Sequence, residues 1–399
     1  MRRPPVGELP VALVWDEALL EYRFNSDHPM DPVRLDLTAR LCREFGLFDG
    51  AHVQRLETGI ASDAVLGTVH SGDYVSAVKN AAERGHASED HGLGTEDTPV
   101  FSEIHLGAAR IVDGTRQCAQ ALVEGSAVRA LNFAGGMHHA ARSRAGGFCV
   151  YNDSAVAIAL LLEQGTRRVV YIDVDAHHGD GTQDIFYDDP RVMTISIHQT
   201  GVALYPGTGF PNETGGPGAE GSAVNIALPE NTGDAGWLRA FHAVIPQLVA
   251  AFEPEVIVSQ HGCDSHRDDP LSDLQLSVDA QRQSALDIAH LADEHCEGRW
   301  IATGGGGYAV HTVVPRSWTH LTGVIVGAPL SLKTPVPGAW RDYVRERYQV
   351  LTPETMGDDA ELWWRSWELG YDPSDAVDRA VMQTRKEIFP LYGLDPWFD

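Results

Sequence analysis

The sequence predicts an α/β fold in which helices flank a central, mainly parallel β-sheet. Three observations carry this: short apolar runs recur along the chain, helix-like stretches separate them, and no linker interrupts the alternation. A strand buried on both faces reads as a continuous apolar run, and crossover helices cover the two faces of such a sheet.

Taken in order, the first run is Val11 to Trp15. A helix is predicted over Ile104 to Val123, then a strand over Ala127 to Asn132. The next helix spans Asn152 to Gln164 (NDSAVAIALLLEQ). It opens on side chains that accept from the free N–H groups of a first turn, and Gly165 follows as a stop. Strands at Val169 to Val174 and Val192 to Ile197 come after it. The stretch Gly207 to Gly221 (GTGFPNETGGPGAEG) is too rich in Gly and Pro for a regular element and predicts a long irregular surface loop. A strand at Val256 to Ser259, a helix at Asp279 to Ala292 and a strand at Trp300 to Thr303 complete the alternation. With no internal repeat and no long Ser- or Pro-rich linker, residues 1–399 are expected to form one domain. Its core is expected over about residues 11–322, with a helical extension over 330–399 in which Trp363, Trp364 and Trp367 pack inward.

Composition narrows the class. With 43% hydrophobic residues the chain has ample material for a core. Its 30 basic and 56 acidic residues give a formal charge of -26, which repels nucleic acid and anionic membranes and suits a cationic partner. The five cysteines, Cys42, Cys118, Cys149, Cys263 and Cys296, form no CxxC pair, so neither a disulfide framework nor a thiolate zinc site is indicated. No apolar run reaches the roughly 20 residues that span a bilayer, and the start, MRRPPVGELP, lacks the apolar core of a secretory signal. A cytoplasmic location is the expectation.

The densest cluster is Tyr171-Ile-Asp-Val-Asp-Ala-His-His-Gly-Asp-Gly181, where a buried strand ends by presenting Asp173, Asp175 and His177 at alternate positions. Side chains two apart in extended chain point the same way, so these three are expected to converge on one spot. The strand at Val256 to Ser259 runs into Gln260-His-Gly-Cys-Asp264 and offers a further carboxylate just past a strand end. Alone, such an acid is more often a helix cap. Two carboxylates and an imidazole suit a catalytic zinc or ferrous ion, because such sites use three protein ligands and keep a position open. Gly135-Gly-Met-His138-His139 supplies adjacent imidazoles that Asp173 and Asp180 can each hold in a fixed tautomer. Gly304-Gly-Gly-Gly-Tyr308 lacks the Lys and Ser/Thr of a phosphate loop, and instead lets backbone pass close to the site while aiming the Tyr308 hydroxyl at an oxyanion.

These motifs, GGMHHAARSRAGGFCVYND, YIDVDAHHGDGTQDIFYDDP, YPGTG, SQHGCDSHRDDPL and GGGGYAVHTVVPRSW, resemble the class I histone deacetylases. The resemblance is strongest to the bacterial acetoin utilization deacetylases and runs in family order from about Val11 to Thr322. It implies an arginase/deacetylase fold, zinc (with Fe2+ as the other candidate) on Asp175, His177 and Asp264, and hydrolysis of N-acetyl-lysine or related acyl-lysine in proteins. It also implies that His138 pairs with Asp173, that His139 pairs with Asp180 and serves as base and acid, and that Tyr308 polarises the acyl carbonyl. By the same resemblance Phe148 walls a narrow channel, Gly147 and Asp97 meet the substrate near the rim, and Asp173, Asp175, His177, Ser196 and Ile197 hold a structural K+. Two departures stand out: the second wall is Tyr205 where phenylalanine is frequent, and Ala141 to Ala145 is basic.

The nearest alternative is an acetylpolyamine amidohydrolase, to which an acidic surface is equally suited. Members of that kind carry an acidic gate after the last metal ligand, and the matching position here is Leu271, which favours acyl-lysine. A two-manganese ureohydrolase would need a further acid where this chain reads HHGDG. A non-catalytic binder of acylated partners would not need every catalytic position filled.

Overall fold

Strands form where the apolar runs stand. The computed structural model describes residues 9–399; of the amino-terminal stretch read above, residues 1–8 lie outside it. The strands are β1 (Val11–Val14), β2 (Val53–Leu56), β3 (Arg129–Asn132), β4 (Val169–Asp173), β5 (Val192–Gln199), β6 (Ala223–Leu228), β7 (Val256–Gln260) and β8 (Trp300–Thr303). They make one eight-stranded sheet in the order β2-β1-β3-β8-β7-β4-β5-β6, and every pairing is parallel. All residues of β3, β4, β5, β7 and β8 are buried, as continuous apolar runs require.

The flanking helices are α1 (Val33–Glu44), α2 (Asp63–Leu66), α3 (Gly72–Arg84), α4 (Ile104–Glu124), α5 (Asp153–Glu163), α6 (Asp180–Phe186), α7 (Asp234–Phe252), α8 (Val278–His295), α9 (Val314–Ile325), α10 (Gly338–Tyr348) and α11 (Ala376–Ile388). Asn152 caps α5 by accepting from Ala155 N at 2.9 Å, and Gly165 follows in the left-handed region with φ 96°. No regular element forms over 207–221, in line with its Gly and Pro content. No helix among the described residues is long and apolar enough to cross a membrane, and all five cysteines are free and buried.

The two strands not foreseen are the two edges, β2 and β6. β2 (VQRL) leaves Gln54 and Arg55 exposed, so it shows no apolar run. β6 (AVNIAL) carries the buried Asn225 at its middle. The extension over 330–399 is helical only in part: α10 and α11 are separated by largely irregular chain containing Pro353, Gly357, Gly370 and Pro373. Its tryptophans also divide. Trp367 is buried and Trp364 stacks on His242 at 4.8 Å, whereas Trp363 is 69% exposed, contrary to the inward packing expected of all three.

Candidate active site

Strands β3, β8, β7 and β4 lie side by side, and the loops leaving their carboxyl ends carry most of the residues singled out above. Ligand sites in open parallel sheets form at this end. β4 stops at Asp173, and the alternation rule stops with it. Asp173 therefore does not join Asp175 and His177 at one point: its Oδ2 lies 2.8 Å from His138 Nδ1 and accepts the Tyr171 hydroxyl at 2.7 Å.

The group that does converge is Asp175, His177 and Asp264, buried and with potential ligand atoms all within 4.8 Å of one another. His177 Nδ1 is 3.2 Å from Asp175 Oδ1 and 3.0 Å from Asp264 Oδ2. Backbone and amide donors fix the carboxylates: Gln260 Nε2 and Gly306 N donate to Asp175 Oδ2 at 2.7 and 2.8 Å, and Ala176 N donates to Asp264 Oδ1 at 2.8 Å. Gly306 is required by close approach, since a Cβ there would meet Asp264 Oδ2 at 2.1 Å. Burial opposes charge on the His177 imidazole, but its bonds to the two carboxylates push it up to about 10. Burial also opposes charge on Asp175, yet the His138 charge and the His177 bond hold it well below the carboxylate range. Burial and the Asp175 charge push Asp264 up to about 6. One positive charge thus sits between two carboxylates, and this buried O, N, O donor set fits a divalent cation in place of the imidazole proton.

Beside it stand the paired histidines, their rings 4.0 Å apart. His139 Nδ1 lies 2.6 Å from Asp180 Oδ1, so both rings are oriented from behind by a carboxylate. Burial lowers the His138 pKa, but the charges of Asp173 and Asp175 outweigh it and raise it to about 9. Burial and the His138 charge lower His139 to about 4 against the pull of Asp180. At neutral pH one ring is charged and its neighbour is free to take a proton.

A cavity of about 210 Å³ opens onto these groups, lined by Asp97, His139, Gly147, Phe148, His177, Leu204, Tyr205, Leu271 and Tyr308. The Phe148 ring faces Tyr308 edge-on at 5.6 Å, and its backbone takes φ 68° while its carbonyl accepts the Tyr22 hydroxyl at 2.7 Å. Tyr205, 44% exposed, meets the His139 ring edge-on at 5.0 Å. Gly147 has φ 48°, and a Cβ there would collide with the His139 ring. Asp97 is exposed at the rim, its carbonyl held 3.2 Å from His28 Nε2.

Ser196 and Ile197 lie apart from this cavity on β5, where Ser196 is in register with Asp173 and its Oγ lies 2.8 Å from His198 Nδ1. Several positioning residues were not foreseen. Asp153 accepts from Gly136 N and Met137 N at 3.0 and 2.8 Å, and Asn152 Nδ2 donates to Ala140 O at 3.1 Å, so the pair that starts α5 also shapes the histidine loop. Reading them as helix starters hid that second task. Arg34 donates to Gly305 O and Gly307 O at 2.8 and 3.1 Å from a distant helix, with no local signal in its sequence.

Residues 28–325 match the histone deacetylase domain. The acetoin utilization protein AcuC of Bacillus subtilis (strain 168) is 39% identical over 384 residues, covering 94% of this chain and 97% of that protein. AcuC of Staphylococcus xylosus is 37% identical, covering 87% and 90%. Among solved structures, an HDAC homolog from Aquifex aeolicus superposes with a TM-score of 0.81 at 28% identity, covering 94% of this chain and 99% of that one. Its eight-stranded parallel sheet is thus that of the arginase/deacetylase fold, and the chain belongs to the histone deacetylase family.

Proposed function

We propose that this chain is a metal-dependent hydrolase that removes acetyl or related acyl groups from lysine side chains of proteins. The observation that carries the reading is the convergence of Asp175, His177 and Asp264 beside a 210 Å³ cavity that His139 and Tyr308 also line. Those three residues would hold zinc, with ferrous ion as the other candidate. When bound, such a cation would polarise the acyl carbonyl and lower the pKa of a water.

The chain's own residues do the rest. The aromatic faces of Phe148 and Tyr205 exclude water from the stem of the acylated side chain, while Leu271 supplies an apolar wall where an acid would favour a polyamine. His139, neutral and held through Nδ1 by Asp180, takes a proton from the attacking water as its oxygen bonds to the acyl carbon. The Tyr308 hydroxyl donates to the former carbonyl oxygen as charge grows there. His139 then returns the proton to the amine nitrogen, the C–N bond breaks, and carboxylate and lysine leave. His138 stays charged beside Asp173 and stabilises the anionic site.

A structural potassium ion on Asp173, Asp175, His177, Ser196 and Ile197 belongs to the same reading, supported by the β4–β5 register that sets Asp173 opposite Ser196. The names of its relatives suggest acetoin utilization as the setting, and free buried cysteines suit the cytoplasm.

The test is acetate release from an acetyl-lysine peptide and from acetylspermidine, by protein stripped of metal and reloaded with Zn2+ or Fe2+. Turnover of the peptide, lost on chelation and restored by metal, is expected. Asp264→Ala should lose metal and activity together, and Tyr308→Phe should lose roughly 10²-fold in kcat with metal retained. Preference for acetylspermidine, or full metal occupancy in Asp264→Ala, would overturn the reading.

A further inference from the structure

The aim of Tyr308 has to come from outside its own segment. Four glycines precede it, and two of them, Gly305 and Gly307, sit at φ 146° and 140°, so the run supplies little stiffness of its own. Arg34 ties the carbonyls of Gly305 and Gly307. The group that ties Tyr308 itself is Asp269, buried in the loop that follows Asp264. Its Oδ2 accepts the Tyr308 N–H at 2.7 Å and the Ala309 N–H at 3.4 Å, while its Oδ1 accepts the Leu271 N–H at 3.0 Å. Tyr308 and Leu271 line the same cavity from two loops far apart in sequence, and one carboxylate joins their backbones.

We propose that Asp269 is a positioning residue for the reaction, fixing the Tyr308 hydroxyl and the Leu271 wall in a single frame. This rests on the reading above that Tyr308 donates to the developing oxyanion. A carboxylate is needed because both ends must accept. Asparagine is nearly the same shape but has one acceptor oxygen, and its NH2 would face the backbone N–H donors at one of the two ends. Asp269→Asn therefore loosens one arm without opening a cavity, and a small displacement of a catalytic group costs much more rate than affinity.

The experiment is a double-mutant cycle on the metal-loaded full chain with an acetyl-lysine peptide, comparing wild type, Asp269→Asn, Tyr308→Phe and the double variant. Metal content and thermal midpoint are followed in each. Asp269→Asn is expected to lower kcat roughly 10-fold or more, with KM near the wild-type value. Once the hydroxyl is gone there is nothing left to aim, so in the Tyr308→Phe background the same change should cost less than about twofold. An equal loss in both backgrounds, or an unchanged kcat in Asp269→Asn, overturns the proposal while leaving the reading of Tyr308 intact. Wild-type turnover in Tyr308→Phe alone overturns that reading and this proposal with it. Should Asp269→Asn fail to fold, amide hydrogen exchange on the wild-type protein decides: Tyr308 and Leu271 amides protected together support the clasp, and free exchange at either overturns it.

Discussion

His138 and His139 are neighbours in sequence and opposites in charge, because two acids, Asp173 and Asp175, raise the first while burial and that first charge lower the second. The sign of the pH dependence follows. Under the proposed mechanism, falling pH protonates His139 near 4 and removes its base, and rising pH takes the proton from His138 near 9. A cation drawing on the Asp175 charge would move the alkaline limb lower. We expect kcat/KM to be bell-shaped, and Asp173→Asn, which deletes one raising charge, to shift the alkaline limb down while the acid limb stays. A pH–rate profile of both proteins checks this, and an unmoved alkaline limb would assign it to another group. Residue spacing made Asp175 and His177 legible as a pair, because they leave one strand end together. It misjudged Asp173, since the chain turns after that residue, and spacing carries no record of a turn. Asp269 was invisible for a different reason: its partners are backbone N–H groups, which no side-chain pattern encodes.

At the scale of elements, the carboxyl-terminal helix α11 is held by a buried ion pair and not by a broad apolar seam alone. Arg239 of α7 reaches Asp378 with Nη2–Oδ2 at 2.8 Å, and Arg365 and Asp372 N meet the same oxygen at 2.7 Å each. Thr384 Oγ1 then donates to Asn225 O on β6 at 2.6 Å. Asp378→Asn leaves the Arg239 guanidinium buried without its full partner, a change that costs about 3–5 kcal/mol when such pairs are broken. Burial alone would raise the Asp378 pKa, but the Arg239 bond outweighs it and holds it below the usual range. The contribution is therefore complete above an ordinary carboxyl pKa of about 3.9 and is lost as pH falls through the folded value. Urea unfolding should show a lower midpoint for the variant at neutral pH, and a gap between variant and wild type that closes in acid. An unchanged midpoint would mean that α11 docks by apolar contact alone. Distant partners also explain why β6 and the extension were hard to read. Asn225 and Asp378 look like surface residues, but Asn225 Nδ2 donates to Gln183 Oε1 and Glu213 O, and Asp378 accepts from Arg239, so each is buried beside groups brought from elsewhere in the chain.

Over the whole molecule the charge of -26 acts as a field and not as a set of contacts. Such a field draws a cationic peptide toward the surface, and added salt shortens the reach of that attraction from about 30 Å at 0.01 M to about 8 Å at 0.15 M. Raising ionic strength over this range should lower kcat/KM for a basic acetyl-lysine peptide and leave a neutral one nearly unchanged. Equal salt dependence for the two peptides would remove electrostatic steering from the account. The arrangement of the site along the sheet bears on how such a protein can diverge. In the proposed site the metal-, proton- and charge-handling groups follow closely on the ends of β3, β4, β7 and β8, while Tyr205 and Leu271, assigned to the substrate, stand farther along the loops after β5 and β7. Substitutions in those loops can therefore redirect which amide is accepted while the hydrolytic apparatus is inherited unaltered.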